Sequence, residues 1–311
     1  MRSIRDRNNT RSQTPQPPQP PPTLNDIISE FRRAAITDTQ FLGHPDALRR
    51  KTWIGSERGK RILVDRRQPD EPAIFWLIGE ISDEGFWLYP DGGLNARLAP
   101  TTLTSHHATA FLTRPQNERL GRLFDAALTT AAQSESLKRN PEVLTRDHLV
   151  RTLPRNDKRY LRIKHRILTI PESDDDVVPR ERVSTTSSEK ERIVAAKWKK
   201  IDDKWTLEDL PCRTEYSFNE HDKLIRNNKY GYKWNLLPAY NEEELPIAPN
   251  RYESKLRGAT VLCYISLCRW EIENKYSFSP HIVQLRVLIP PVPQTSTPRT
   301  PSRMPRSPLR R

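Results

Sequence analysis

Residues 259–270 and 281–289 constrain the fold more than any other part of this chain. In the first, Val261, Cys263, Ile265 and Leu267 alternate with Leu262, Tyr264, Cys268 and Trp270, so an extended segment is apolar on both faces. Such a strand has to be covered on both sides, which calls for an interior position in a sheet rather than a surface hairpin. The second segment is also strand-like, and a turn around Asn274 joins the two.

The rest of the chain divides by composition. Six prolines fall in residues 1–22 and seven in residues 290–311, with almost no apolar side chains beside them. Proline at that density removes amide donors, and without a core to bury these ends are expected to be disordered, Pro- and Arg-rich tails. A helix starts after Thr23, a capping residue, with Leu24, Ile27, Ile28 and Phe31 on one stripe. Short strands are expected at residues 61–64, 73–81 and 86–89, the last two joined as a hairpin through Ser82-Asp83-Glu84-Gly85. Thr113 and Gln116 make a capping-box pattern before Leu120, Leu123, Phe124, Ala127 and Leu128, the face of a second helix. A further capping box, Ser188 with Glu191, precedes Ile193, Val194 and Trp198. The expected fold class is therefore α+β, in two modest domains with small antiparallel sheets and flanking helices. The first domain is placed at residues 23–135 and the second at 189–289. A basic segment at 136–170 and an acidic, Ser/Thr-rich linker at 171–188 separate them. Residues 207–258 give no clear pattern.

The formal charge of +13 is unevenly spread. Each tail is basic, and residues 138–170 hold ten Lys and Arg against three acids. The remainder is close to neutral. Clustered positive charge favours polyanionic partners. On a helix, Arg155, Arg159, Arg162 and Arg166 would form one guanidinium face with Lys158 beside it. On a strand, Arg162, Lys164 and Arg166 would share one face and Leu161, Ile163 and Ile167 the other. Either geometry presents a basic face with an apolar back. Lys229, Tyr230, Tyr232 and Lys233 interleave cations with aromatic rings, a combination that binds single-stranded nucleic acid by stacking.

Enzymatic motifs are not found. Gly55 and Gly59-Lys60-Arg61 resemble a phosphate loop but carry three residues between the glycines and Arg where Ser or Thr belongs. Cys263 and Cys268 are five apart, so on a strand they face opposite ways and share neither a metal nor a disulfide. Cys212 is remote from both. Asp174, Asp175 and Asp176 lack the spacing of a calcium loop. His106 and His107 read as a surface loop. No Gly-x-Ser-x-Gly elbow is present, and no cofactor is implied.

These features point to a non-enzymatic regulatory protein that binds nucleic acid, DNA or RNA, through residues 155–166 and the Arg-rich tails. The alternative is an adaptor that engages protein partners with its folded domains and its proline-rich tails. Thr297, Thr300 and Ser307 each precede proline, and proline-directed phosphorylation would oppose the tail's positive charge. Such a switch implies a proline-directed kinase, an importin reading the basic tail, or an SH3- or WW-type domain reading the N-terminal prolines. Three cysteines, no secretory signal and no apolar run near the ~20 residues of a membrane helix fit the nucleus and cytoplasm and no membrane partner.

Overall fold

The computed structural model describes residues 23–55, 59–137, 143–152, 157–169 and 205–292. Two long strands organise it, β12 (Thr260–Ile272) and β13 (Lys275–Ile289). Glu273 and Asn274 turn the chain between them, both with positive φ, the backbone that a two-residue hairpin turn requires. The N-terminal half supplies β1 (Lys51–Gly55), β2 (Lys60–Asp65), β3 (Gln68–Pro72), β4 (Ile74–Ile81) and β5 (His107–Thr113). Then come β6 (Leu144–Asp147), β7 (Val150–Thr152) and β8 (Arg159–Arg166). β9 (Leu168–Thr169) pairs with β10 (Lys233–Trp234) as a separate ladder, and β11 (Ala239–Tyr240) lies along β13.

Among the described residues eleven of these strands form one sheet. β12 pairs with both β2 and β4, so strands from the two halves of the chain interleave. The expectation of two modest domains, each with its own small antiparallel sheet, is overturned by these pairings. A strand apolar on both faces finds partners at its edges as well as cover on its faces. The partners of β12 lie about two hundred residues upstream, beyond the reach of local pattern.

Five strands close on themselves. Around the ring they run β4, β5, β8, β13, β12 and back to β4. All junctions are antiparallel except β8 with β13, where Lys164 and His281 pair in parallel. Numbered along the chain, that order is 1-2-3-5-4-1, the Greek-key barrel of the OB-fold. Leu77, Cys263 and Leu285 align in register inside it, and Ala110 faces Ile163, all fully buried. Cys268 lies on the opposite face of β12 from Cys263, as the odd spacing implied, and both are buried.

Helix α2 (Glu118–Ser136) closes the barrel with Phe124, which is fully buried. A Cβ at Gly79 would come 3.2 Å from the Phe124 ring and from Leu112, so glycine on β4 permits this close approach. The cap of α2 is Asn117, whose side chain accepts from the amides of Arg119 and Leu120, rather than the Thr113–Gln116 box. Helix α1 (Leu24–Thr37) starts at the Thr23 capping box and covers the outer side of β4, with Phe31 5.8 Å from Trp76. Two shorter helices, α3 (Glu215–Arg226) and α4 (Tyr252–Leu256), belong to the connection from β8 to β12. Residues 86–89 do not form a hairpin with β4. Trp87 instead bridges Thr109 of β5, and β5 is the partner of β4. Residues 1–22 and 293–311 of the tails, all of the 171–188 linker, and the Ser188–Trp198 helix expectation lie outside the described residues.

Candidate nucleic-acid interface

β8 forms because its sequence alternates: Leu161, Ile163 and His165 turn into the barrel and are buried, while Arg162, Lys164 and Arg166 turn outward. The strand geometry holds and the helical guanidinium face does not form. Arg159 has the opposite parity and is exposed at the start of the strand, Lys158 lies before it beside Glu80, and Arg155 is outside the described residues.

The outward row is flanked on both sides. Across β5, Arg162 faces Phe111, Lys164 faces Thr109 and Arg166 faces His107. Across β13, Lys164 faces His281. The His281 ring lies 5.5 Å from Trp270 and 6.0 Å from His107, and Trp270 sits opposite Lys60 of β2. Phe111 and Tyr160 pack at 4.3 Å. One face of the barrel therefore carries Lys60, Arg162, Lys164 and Arg166 interspersed with Trp270, His281, His107 and Phe111.

Its electrostatics are unbalanced. Burial and then the Arg151 charge lower the Arg162 pKa, and burial and then the Arg162 charge lower that of Lys164. Burial, then Lys164 and Arg166, brings His107 down to about 4; burial, then His107, Lys60 and Lys164, brings His281 to about 3. Both imidazoles are neutral at pH 7. Asp147 is the nearby carboxylate, but Arg151 holds it at 2.6 Å and Ser277 donates to it at 2.7 Å. Among the described residues no carboxylate forms an ion pair with Arg162, Lys164 or Arg166, and Arg162 Nε is buried without a hydrogen-bond partner. A bound polyanion would relieve this repulsion.

Lys229, Tyr230, Tyr232 and Lys233 do not join that row. They follow α3 and reach the barrel through β9–β10, where the Asn235 side chain donates to the Arg166 carbonyl at 2.7 Å. Lys229 lies over the Tyr230 ring at 4.9 Å, and Tyr230 is 58% exposed. The sequence reading missed Lys60, Trp270, His281 and Phe111, and His107 opens β5 instead of sitting in a surface loop. Outward parity on β12 and β5 was the available signal, but only the closed ring brings these segments together. Thr297, Thr300 and Ser307 are outside the described residues.

No group of three or more His, Cys, Asp or Glu suited to a metal occurs among the described residues, and none of their helices is long and apolar enough to cross a membrane. No protein-family model matches the chain, and no curated protein matches it. Among solved structures the chain is similar to gp2.5, a single-stranded DNA-binding protein encoded by bacteriophage T7. That match has 11% identity and TM-score 0.33, covering 72% of this chain and 96% of that one. A second is the single-stranded DNA-binding protein from bacteriophage Enc34, at 6% identity and TM-score 0.34, covering 80% and 94%. The Enc34 protein in complex with single-stranded DNA also matches, at 6% identity and TM-score 0.32, covering 77% and 95%. At these TM-scores and identities the likeness carries no weight for this chain's fold or function.

Proposed function

We propose that this protein binds single-stranded nucleic acid without catalysis, across the outer face of β5, β8, β12 and β13. The observation that carries the proposal is the outward row Arg162, Lys164 and Arg166, unmatched by carboxylates and set among outward rings. The cations take the phosphates, and Trp270, His281, His107 and Phe111 offer faces for unpaired bases. In barrels of this topology the second and third strands, here β5 and β8, form the oligonucleotide-binding face. That support is an analogy of fold; the charge and the rings are this chain's own. Bases buried in a duplex cannot stack on such rings, so a single strand is the favoured ligand.

Fluorescence anisotropy with a labelled single strand and the matching duplex, at one salt concentration, tests this. Tighter binding of the single strand is expected. Equal or weaker binding of the single strand would refute a stacking interface.

Regulation belongs to the same proposal. Phosphorylation at Thr297, Thr300 and Ser307 by a proline-directed kinase adds about −1.5 to −2 charge per site to an Arg-rich tail. Such modification would weaken the tail's assistance to nucleic-acid binding and its recognition by an importin, while the proline-rich N-terminus offers itself to SH3- or WW-type domains. Kinase-treated protein should then bind the single strand more weakly than untreated protein; equal affinity would remove the switch.

A further inference from the structure

Beside the basic row lies a cleft of about 380 Å³, between the β4–β5 connection and the outer side of β5 and β8. That size is within the ~300–1,000 Å³ range of small-ligand sites. Trp87, Asn95, Arg97, His106, His107 and Arg162 line it. The connection is held in shape from within. The Asp91 carboxylate, fully buried, accepts from the amides of Gly93 and Arg213 at 2.9 and 2.8 Å. Asn95 accepts from the Arg97 amide and donates to the Gly93 carbonyl, and His106 Nε2 lies 3.1 Å from the Gly92 carbonyl. Gly93 has φ +70°, and a Cβ there would meet the Trp87 ring at 2.5 Å, so glycine lets the indole lie against the loop. Trp87 is bridged to Thr109 by two backbone hydrogen bonds, which fixes it on the outward side of β5.

What this frame leaves unused is informative. Trp87 is 45% exposed, Arg97 has no ion pair or side-chain hydrogen bond among the described residues, and the buried Arg162 Nε has no partner. An exposed indole beside two unpaired guanidinium groups, in a preformed cleft, has the chemistry for one unstacked nucleotide. We infer that the cleft captures a single nucleobase of the bound strand, stacked on Trp87, with Arg97 and Arg162 donating to its carbonyl oxygens or its phosphate. The inference rests on the proposed single-strand interface and adds to it a discrete base site. Because the free groups are donors, bases rich in carbonyl acceptors, thymine and guanine, suit it better than adenine.

The test uses the full chain and two labelled probes, a thymidine oligonucleotide and a fully abasic oligonucleotide of the same length. Trp87→Ala and Arg97→Ala are compared with the wild type, and Trp87→Phe retains a ring. Trp87→Ala should weaken binding of the thymidine strand by about 5- to 150-fold, the worth of one stacked base. Binding of the abasic strand should not change, and Trp87→Phe should recover most of the loss. Equal affinity of Trp87→Ala and wild type for the thymidine strand would overturn the base site while leaving the interface on β8 standing. Equal losses on both probes would also overturn it, marking Trp87 as a structural residue. A wild type that binds neither probe would remove the interface and the base site together.

Discussion

Lys164 and His281 pair in register at the parallel junction of β8 and β13, so one contact both closes the barrel and joins a cation to a neutral ring on its outer face. The position explains why burial and like charge act on the same two side chains. It also ties the stability of the fold to the state of its histidines.

Acid should destabilise the fold before its carboxylates titrate. His165 is buried, its Nε2 2.7 Å from the Asn235 carbonyl, and burial lowers its pKa to about 4. The unfolded chain takes up this proton near pH 6.5, whereas the folded chain resists until about pH 4. Stability is therefore full above pH 6.5 and is lost as pH falls through 6.5 towards 4, by about 2 kcal/mol from His165 between pH 7 and 5. His107 and His281 add losses of the same sign. Urea titrations at pH 7, 6 and 5 should show this decline; a flat profile would mean these rings are not held neutral.

Phe124→Ala should cost about 3–5 kcal/mol of unfolding free energy, because the ring is fully buried and packs closely against β4 at Gly79. Denaturant unfolding measures it. A loss under 1 kcal/mol would mean that α2 is not the plug of the barrel.

Trp270→Ala should weaken single-strand binding by about 1–3 kcal/mol while leaving the salt dependence unchanged, since the indole stacks and carries no charge. Anisotropy titrations at several salt concentrations separate the two effects. A changed slope with unchanged low-salt affinity would contradict a stacking role.

Asp147→Asn should tighten binding by a few-fold. Burial would raise the Asp147 pKa, but hydrogen bonds from Ser277 and Arg151 outweigh it and keep the group ionised. Removing that charge frees Arg151 to face the ligand and takes away a nearby negative potential. The same substitution should lower thermal stability, which a melting curve reads independently; weaker binding would place Asp147 away from the ligand's path.

Local chemistry was legible in the sequence where it acts over a few residues. The Thr23 cap, the Asn274 turn, the α2 apolar face and the alternate outward placement of Arg162, Lys164 and Arg166 all follow from short-range rules. What was not legible depends on strand pairing. Periodicity shows that β12 needs neighbours but cannot say that they are β2 and β4, so one interleaved sheet was read as two. The site suffered similarly. Trp270, His281 and His107 come from three strands and meet only once the ring closes. The apparent helical spacing of Arg155, Arg159, Arg162 and Arg166 competed with the strand pattern, and the buried inward side chains of β8 decided it.

The central claim is most directly tested by the salt dependence of single-strand binding in the wild type and in Arg162→Ala/Lys164→Ala/Arg166→Ala. Each phosphate contact on a single strand contributes about −0.7 to the slope of log affinity against log salt. Loss of three contacts should therefore make the slope shallower by about 2 units in a variant whose circular dichroism matches the wild type. An unchanged slope would contradict a phosphate-binding role for the outer face of β8.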